Sequence, residues 1–343
     1  MWVADLMYDN ERRLANLDVS DVQLEWNGNR FVSGSGSCAI VWADDHGSSK
    51  IPKQIGDWFA PFGAELQIDC VIGSGVFAER VPMGRFMIES VPEATESEML
   101  WQERIIHPGE TFRLDLKDGL QRIIRDRFAF PTASRSTSVW DEIQAVTGLP
   151  VVRNVPDQTI ATPVTHDEDK DKATSKLFDR LGAWPMLSPS GVLMARPKAW
   201  PDPVDELGEG VVSAPRTLTA DKTYNQVVVE GKNQSGEPIY GVRFVEEGFL
   251  RARNTDGSKS PFGVATYGYS SEYLTAQDQV DAYADELLPR VSRIRGVVRE
   301  VTERFNPLRE VGDVLRFKDG LVRVLTVAHS DATTRMTVEV PDE

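Results

Sequence analysis

The sequence predicts an α+β protein, and three observations lead to this prediction. Segments that alternate apolar and polar residues fill the N-terminal third, which is the period-2 pattern of half-buried strands. The middle third changes to the period of amphipathic helices, and the C-terminal end returns to strands. We therefore expect a β-rich module at each end of the chain, with α/β structure between the two.

The N-terminal strands are predicted from alternation and from the turn residues between them. Residues 21–27 alternate Val22, Leu24 and Trp26 with polar neighbours. Gly, Pro and Ser clusters then separate further apolar runs. These runs occupy residues 37–44, 65–72, 84–91 and 112–116. A small barrel or sandwich is the structure that this pattern favours.

The middle of the chain is predicted to contain three helices. The first has Asp118 available as its N-cap, the second covers 138–147 and stops at Gly148, and the third ends at Gly182. Predicted strands such as 191–197 are interleaved with these helices. This part is therefore expected to be α/β or α+β.

The acidic, Pro-rich segment 200–215 lacks periodicity and predicts a linker. After it, 224–231 and 238–246 predict a hairpin around Gly236, and 275–291 predicts a long helix. Four strands are predicted to follow, at 295–305, 312–317, 321–329 and 334–340. The expected domains are therefore 1–117, 118–203, 204–294 and 295–343.

A short internal repeat links the two ends of the chain. PFGAELQI (61–68) followed by GRFMIESV (84–91) resembles PLREVGDVLRF (307–317) followed by GLVRVLTV (320–327). Each copy has a proline, a glycine-led acidic turn, a strand and a second glycine-led strand. The repeat predicts two similar small barrels, one built from about 21–116 and one from about 295–340.

Composition and charge exclude several classes of function. The net charge of −15 disfavours adhesion to nucleic acid or to anionic membranes. The two cysteines, Cys38 and Cys70, fit a protein made in a reducing cytoplasm and exclude a zinc site built on cysteine. Acidic residues such as Asp5 and Asp9 interrupt the N-terminal stretch, and no run of about 18 apolar residues follows, so we expect neither a signal peptide nor membrane insertion.

The motifs that could carry chemistry are all incomplete. Two G-x-G-x-x-A matches, 34–39 and 73–78, are not followed by the helix that a dinucleotide site requires. The segment 166–172 spaces acids as a calcium loop does, but Lys172 and Phe178 stand where that loop needs Gly and Glu. Tight β-turns and a solvated charged loop are the better interpretations.

Side chains for nucleophilic or metal chemistry are also scattered. The histidines form no i, i+4 pair, and both cysteines lie in predicted strands. The histidines are His46, His107, His166 and His329. Carboxylates are too abundant for their pairs to be informative. We therefore assign no catalytic, cofactor-binding or metal-binding residue, and we expect no enzyme and no cofactor.

The segment 57–91 carries motifs that resemble tail proteins of actinobacterial siphophages. An aromatic or aliphatic pair, a proline, an aromatic residue with a glycine, and an acidic strand precede a "V-P-apolar-G-x-F-x-I" run. The residues are Phe59, Pro61, Phe62, Gly63, Glu65 and Leu66, then Val81, Pro82, Met83, Gly84, Phe86 and Ile88.

The C-terminal half is similar to the baseplate-hub proteins of long-tailed phages. YNQVVVEG (224–231) resembles a strand that these proteins place before a hairpin. A "P-L-x-x-G-D-x-V" motif and a strand ending in VAH (327–329) resemble their barrel. The motif residues are Pro307, Leu308, Gly312, Asp313 and Val314.

The resemblance implies a structural hub that closes the tail tube at the tip of the virion. It implies a homotrimer, made in the host cytoplasm, with two tudor-like β-barrels and α/β domains between them. The implied partners are a ring of distal-tail or tail-tube protein, the tape measure protein, and downstream tail-tip or fibre proteins. DNA would pass through the tube without specific binding.

Two other functions remain open at this point. The chain is alternatively another tail-tip subunit, such as a distal-tail protein or a carbohydrate-binding receptor-recognition protein, for which six copies in a flat ring are expected. A cell-wall hydrolase is the third interpretation, and turnover of peptidoglycan would identify it.

Overall fold

The computed structural model describes the chain except residues 43–48, 75–76, 102–103, 161–163, 167–168, 209, 215–219, 221–222, 234, 272–273, 293–298, 318–319 and 341–343. The chain forms two compact units. The first, here called the main unit, comprises Met1–Pro215 and Glu300–Val338. The second, here called the inserted unit, comprises Arg216–Arg299 and Glu339–Glu343.

Six antiparallel strands open the main unit. They are β1 (Trp2–Tyr8), β2 (Glu11–Asn27), β3 (Gly34–Trp42), β4 (Glu65–Ser74), β5 (Phe77–Trp101) and β6 (Arg104–Asp118). They pair in the order β1-β4-β5-β6-β3-β2, and β2 pairs back onto β1. The strand pairings therefore form a closed cycle.

The cycle starts earlier than the sequence predicts, because β1 and the first part of β2 precede residue 21. Residues 2–6 are buried without interruption, so β1 has no alternating pattern by which to recognise it. Its one charged side chain, Asp5, is compensated by an ion pair with Arg80 at 3.1 Å. The core inside the cycle includes Phe59 and Phe112, whose rings meet edge to face with centroids 5.0 Å apart.

The middle of the main unit contains three helices and five short strands. The helices are α1 (Gln121–Arg125), α2 (Val139–Thr147) and α3 (Lys170–Arg180). The strands are β7 (Thr132–Ala133), β8 (Val151–Val152), β9 (Thr165–His166), β10 (Ala183–Leu187) and β11 (Leu193–Pro197). α2 begins after Ser138, which accepts the Asp141 N–H, and ends at Gly148 in the left-handed conformation, as predicted.

The expectation that Asp118 is the N-cap of the first helix is wrong. Asp118 is the last residue of β6, and the residue preceding α1 is Leu120. The Asp118 carboxylate instead accepts the N–H groups of Leu120 and Gly34, which fastens the β6–α1 turn to the start of β3. The sequence suggests the hydrogen bond from Leu120, which is two residues away from Asp118. It gives no sign of the one from Gly34, which is 84 residues away.

The segment 200–215 is not a free linker, in contrast to the prediction. It contributes β12 (Asp205–Glu206), which pairs with β18, and β13 (Val211–Ser213), which pairs with β17. The C-terminal strands are β17 (Arg299–Arg304), β18 (Val314–Phe317), β19 (Gly320–His329) and β20 (Thr333–Glu339). Because β19 also pairs with β2, all of these strands join the first six in one 12-stranded sheet.

The inserted unit is a three-stranded sheet covered by one helix. It consists of β14 (Gln226–Lys232), β15 (Pro238–Phe244), β16 (Thr266–Ser270) and α4 (Gln277–Ser292). The predicted hairpin and long helix are both confirmed. The helix packs Val280 against Gly231 and Gly241, at distances that leave no space for a Cβ at either glycine.

The α+β class is confirmed, with more strand than helix among the described residues. The structure does not confirm two tudor-like barrels, since the pairings among the described residues close a cycle through β1–β6 only. Within the described part of the chain, no helix is long and apolar enough to cross a membrane.

The internal repeat has matching backbone geometry in its two copies. Gly63 and Gly312 both have positive φ, of 105° and 96°, and each lies two residues before a strand. Those strands, β4 and β18, each pair antiparallel with the strand that carries the second half of the repeat. The repeat therefore marks the same turn and hairpin at both ends of the main unit.

Candidate functional site

Neither glycine motif forms a nucleotide-binding turn. Residues 34–39 lie inside β3, and residues 73–78 span the end of β4 and the start of β5, with 75–76 outside the described residues. Neither segment leads into a helix N-terminus, so neither provides the donors that a pyrophosphate requires.

The cysteines are buried, free thiols. Burial raises the pKa of Cys38 to about 12, and it also raises the pKa of Cys70. Both thiols therefore stay protonated at neutral pH, which is the opposite of what a nucleophile requires.

Two of the four histidines have described side chains, and both are structural. His166 lies 2.9 Å from Glu142 in a buried pair, and Phe128 stacks on its ring. His46 and the side chain of His107 lie outside the described residues, as does Asp167 of the calcium-like segment. Among described residues, no group of three or more His, Cys, Asp or Glu is placed to hold a metal ion.

The main unit has a cleft lined by residues of β2, β5, β10 and β19 and of the segment 307–311. It brings together the two motifs on which the phage resemblance rests, although they are far apart in sequence. Its apolar wall is formed by Pro82, Met83, Phe86, Pro185, Met186, Leu187, Pro189, Pro307 and Val311. Trp26, Asp118 and His329 also line it. We call it the motif cleft.

The structure explains why glycine and phenylalanine are two residues apart in the motif of segment 57–91. A Cβ on Gly84 would lie 2.7 Å from the ring of Phe86 and 3.5 Å from Trp26. Glycine is therefore required two residues before the phenylalanine, because the Phe86 ring folds back over the strand to pack against Trp26, with ring centroids 5.8 Å apart.

A series of aromatic rings connects the cleft to the C-terminal strands. Trp26 meets His329 with centroids 5.6 Å apart, His329 meets Phe305 at 5.7 Å, and Phe305 meets Trp2 at 5.3 Å. These contacts fix the position of β19 and the 305–311 segment relative to β1 and β2. The histidine of the VAH motif is therefore a packing residue.

His329 and Asp118 are two of the buried ionisable groups at the cleft whose pKa values are displaced. Burial lowers the pKa of His329 to about 4, and its Nδ1 lies 3.1 Å from the Thr334 hydroxyl. Burial raises the pKa of Asp118 to about 6, against the opposing effect of the hydrogen bonds that it accepts. At neutral pH the cleft therefore contains a neutral imidazole and a carboxylate that is mostly ionised.

The His329 shift predicts a pH-dependent stability. The unfolded chain takes up the proton near pH 6.5 and the folded chain only near pH 4, so the contribution of His329 to stability is lost as the pH falls between these values. Relative to His329→Gln, the wild type should lose about 2 kcal/mol of unfolding free energy between pH 7 and pH 5. The contribution of Asp118 to stability increases as the pH falls, because its folded-state pKa is raised above that of the unfolded chain.

Urea unfolding followed by tryptophan fluorescence measures this effect. All eight tryptophans lie at or before Trp200, so the signal reports on the main unit. Asp118→Asn is the comparison with the reverse sign: relative to that variant, the wild type should gain stability on acidification. A wild type and His329→Gln that change in parallel with pH would contradict the assignment.

A group of cations and indole rings lies beside the cleft. Arg196 and Arg323 stack over Trp184, at 5.1 and 5.5 Å from the ring centroid, and Arg323 also stacks over Trp200 at 4.9 Å. Lys198 lies 5.6 Å from the Trp184 centroid. We call this group the cationic rim. Arg196 belongs to both the rim and the cleft lining, so the two are continuous.

The cleft and its rim are suited to binding. Their side chains offer apolar walls, stacked cations and buried polar groups. Among the polar groups, the Ser33 hydroxyl donates to the Asp118 carboxylate at 3.1 Å. Sequence reasoning identified the motifs but missed the rim, because its residues come from β10, β11, β19 and the segment that follows β11.

Several solved structures that are similar in fold to this chain are tail proteins. A tail protein of Neisseria meningitidis matches with a TM-score of 0.61 at 9% identity, covering 98% of this chain and 96% of that one. This chain has the fold of a phage tail protein. The 43 kDa tail protein of prophage MuSo2 from Shewanella oneidensis matches with a TM-score of 0.60 at 10% identity, covering 98% of each chain.

The likeness extends to secretion machinery. The c3393 protein of E. coli matches with a TM-score of 0.50 at 8% identity, covering 98% of this chain and 77% of that one. That protein is a component of the type VI secretion system and is structurally similar to the T4 tail proteins gp27 and gp5. No protein-family model and no curated protein matches the chain. The likeness to tail proteins is therefore one of fold.

Proposed function

We propose that this chain is the structural hub of a bacteriophage tail tip, where three copies close the tail tube beneath a six-fold ring. The observation that carries the proposal is the likeness to tail proteins over nearly the whole of both chains. Residues of the siphophage-like segment, such as Phe86, and of the hub-like C-terminal motifs, such as Pro307 and His329, line one cleft of this fold, which supports the same assignment.

The internal repeat supplies the physical reason for three copies. A three-fold assembly matches a six-fold partner ring when each chain presents two similar surfaces. The matching turns at Gly63 and Gly312, each leading into an antiparallel hairpin, support two such surfaces per chain, and we infer that both belong to tudor-like barrels. The partner ring is a distal-tail or tail-tube protein, and the tape measure protein ends within the hub.

The acidic character of the chain agrees with a DNA conduit. A net charge of −15 repels phosphate, so DNA would pass without being retained. In this proposal the protein has no catalytic role, and downstream tail-tip or fibre proteins carry host recognition.

Electron cryomicroscopy of the tail tip tests the proposal. We expect three copies at one level, each with both hairpins facing the neighbouring ring. Six copies at one level would contradict the hub and favour the distal-tail alternative. Release of peptidoglycan fragments by the purified protein would instead support the hydrolase.

A further inference from the structure

A phenylalanine stands out on the surface of the inserted unit. Phe249, in the loop after β15, has 98% of its surface exposed. Burying such a side chain is favourable by about 1.5–3 kcal/mol, and a group of exposed apolar side chains is typical of a binding surface. The loop lies at the end of β15, whose outward-facing Tyr240, Val242 and Phe244 are also exposed.

The loop is held in shape by its own hydrogen bonds. The Ala252 N–H donates to the Val245 carbonyl at 2.9 Å and closes the base of the loop. The Arg251 guanidinium donates to the Gly248 carbonyl at 3.0 Å, beside the positive φ of Gly248. A loop fixed in this way loses little conformational entropy when it binds, which favours docking.

The two residues before this turn are acidic. Glu246 and Glu247 are exposed, and in the described part of the chain neither forms an ion pair. The loop 245–252 therefore presents one aromatic side chain flanked by two negative charges. We call it the acidic aromatic loop.

The motif cleft of the main unit has the complementary properties. It is an open cleft with apolar walls rich in proline and methionine. The cationic rim continues from it, with Arg196 and Arg323 as its main charges, because the Lys198 ammonium is paired with Asp179 at 2.6 Å. An aromatic side chain is therefore complementary to the apolar walls of the cleft. Neighbouring carboxylates are complementary to the positive charge of the rim.

We propose that the acidic aromatic loop of one copy docks in the motif cleft of a second copy. Phe249 enters the apolar cleft, and Glu246 and Glu247 face the cationic rim. This contact is head to tail, since the two surfaces differ, and such contacts generate a closed ring when the rotation between copies permits it. The inference rests on the proposed three-copy hub and assigns the contact that holds the copies together.

A buried aromatic anchor surrounded by complementary charge is the arrangement that concentrates binding energy at an interface. Removing the anchor should therefore have a large effect on assembly and little effect on folding. Sedimentation velocity of purified protein over a series of concentrations measures both the oligomer and its dissociation constant. We expect the wild type to reach a trimer and Phe249→Ser to weaken assembly by at least about tenfold, which corresponds to about 1.4 kcal/mol per contact.

Two further variants provide the matched comparisons. Phe130→Ser removes another exposed phenylalanine, 71% exposed in the main unit, and should leave the trimer unchanged. Pro82→Glu places a negative charge at the exposed mouth of the cleft, so it should repel the loop and give monomers.

Mixing the two defective variants gives the sharpest test. Phe249→Ser keeps an intact cleft and Pro82→Glu keeps an intact loop, so an equimolar mixture can form one sound contact per pair. At a concentration where each variant alone is monomeric, we expect the mixture to form a heterodimer, a result that misfolding of either variant would not produce.

The outcomes separate this inference from the hub proposal. A wild-type trimer that Phe249→Ser leaves intact, or a mixture that stays monomeric, contradicts the loop contact but leaves the hub standing. A wild type that remains monomeric at every concentration contradicts both.

Discussion

Arg309→Met should lower the unfolding free energy of the main unit by about 3–5 kcal/mol, because it leaves a buried carboxylate without its partner. Arg309 and Glu303 are both buried, and the guanidinium Nε donates to Glu303 at 2.8 Å. The same guanidinium donates to Asp205 at 2.6 Å. Removing the arginine therefore strands Glu303 inside the protein.

The measurement is urea unfolding by tryptophan fluorescence, which reports on the main unit alone. The matched control is Arg243→Met in the inserted unit. Arg243 also bridges two aspartates, Asp281 and Asp285, but these pairs lie at the surface with about a third or more of each side chain accessible, so each should contribute at most about 1 kcal/mol. Tyrosine absorbance follows that variant, since six of the seven tyrosines lie beyond residue 216.

The double variant Arg309→Met/Glu303→Met tests the mechanism. If the loss comes from an uncompensated buried charge, removing both charges should recover part of the stability. A double variant less stable than Arg309→Met would show instead that the side chains matter through packing.

The same ion network explains why the segment 200–215 was mistaken for a linker. Its sequence is acidic, Pro-rich and aperiodic, which is typical of solvated chain. Asp205 is ordered by Arg309, which lies 104 residues away, and β12 pairs with β18 at a similar separation. The local sequence pattern contains no information on contacts between residues more than 100 positions apart. The β14–β15 hairpin joins neighbouring segments, so the sequence predicts it.

The candidate site shows the same division. The sequence identified both cleft motifs, and the G-x-F spacing has a local cause in the ring of Phe86 over Gly84. That the motifs share one cleft depends on the pairing of β19 with β2, and the rim depends on Arg323 reaching the Lys198 carbonyl 125 residues away. Tertiary pairing alone creates both features.

Phe86→Ala should destabilise the main unit by about 3–5 kcal/mol, whereas Phe62→Ala should change its stability by less than about 0.5 kcal/mol. Both phenylalanines belong to the motifs of the 57–91 segment, but Phe86 is 1% exposed and Phe62 is 56% exposed. Phe86 packs against Trp26, the first ring of the series that reaches His329 and the C-terminal strands. Its removal opens a cavity at the start of that series.

Urea unfolding of both variants provides the comparison, with tryptophan fluorescence as the signal. Within the same segment, Phe86 is explained by packing. The exposed Phe62 is not, and contact with a partner would explain it. We therefore expect Phe62→Ala to weaken assembly with the neighbouring tail ring and to leave folding unchanged. Equal losses of stability in the two variants would show that Phe62 is a folding residue and would remove it from the surfaces considered for assembly.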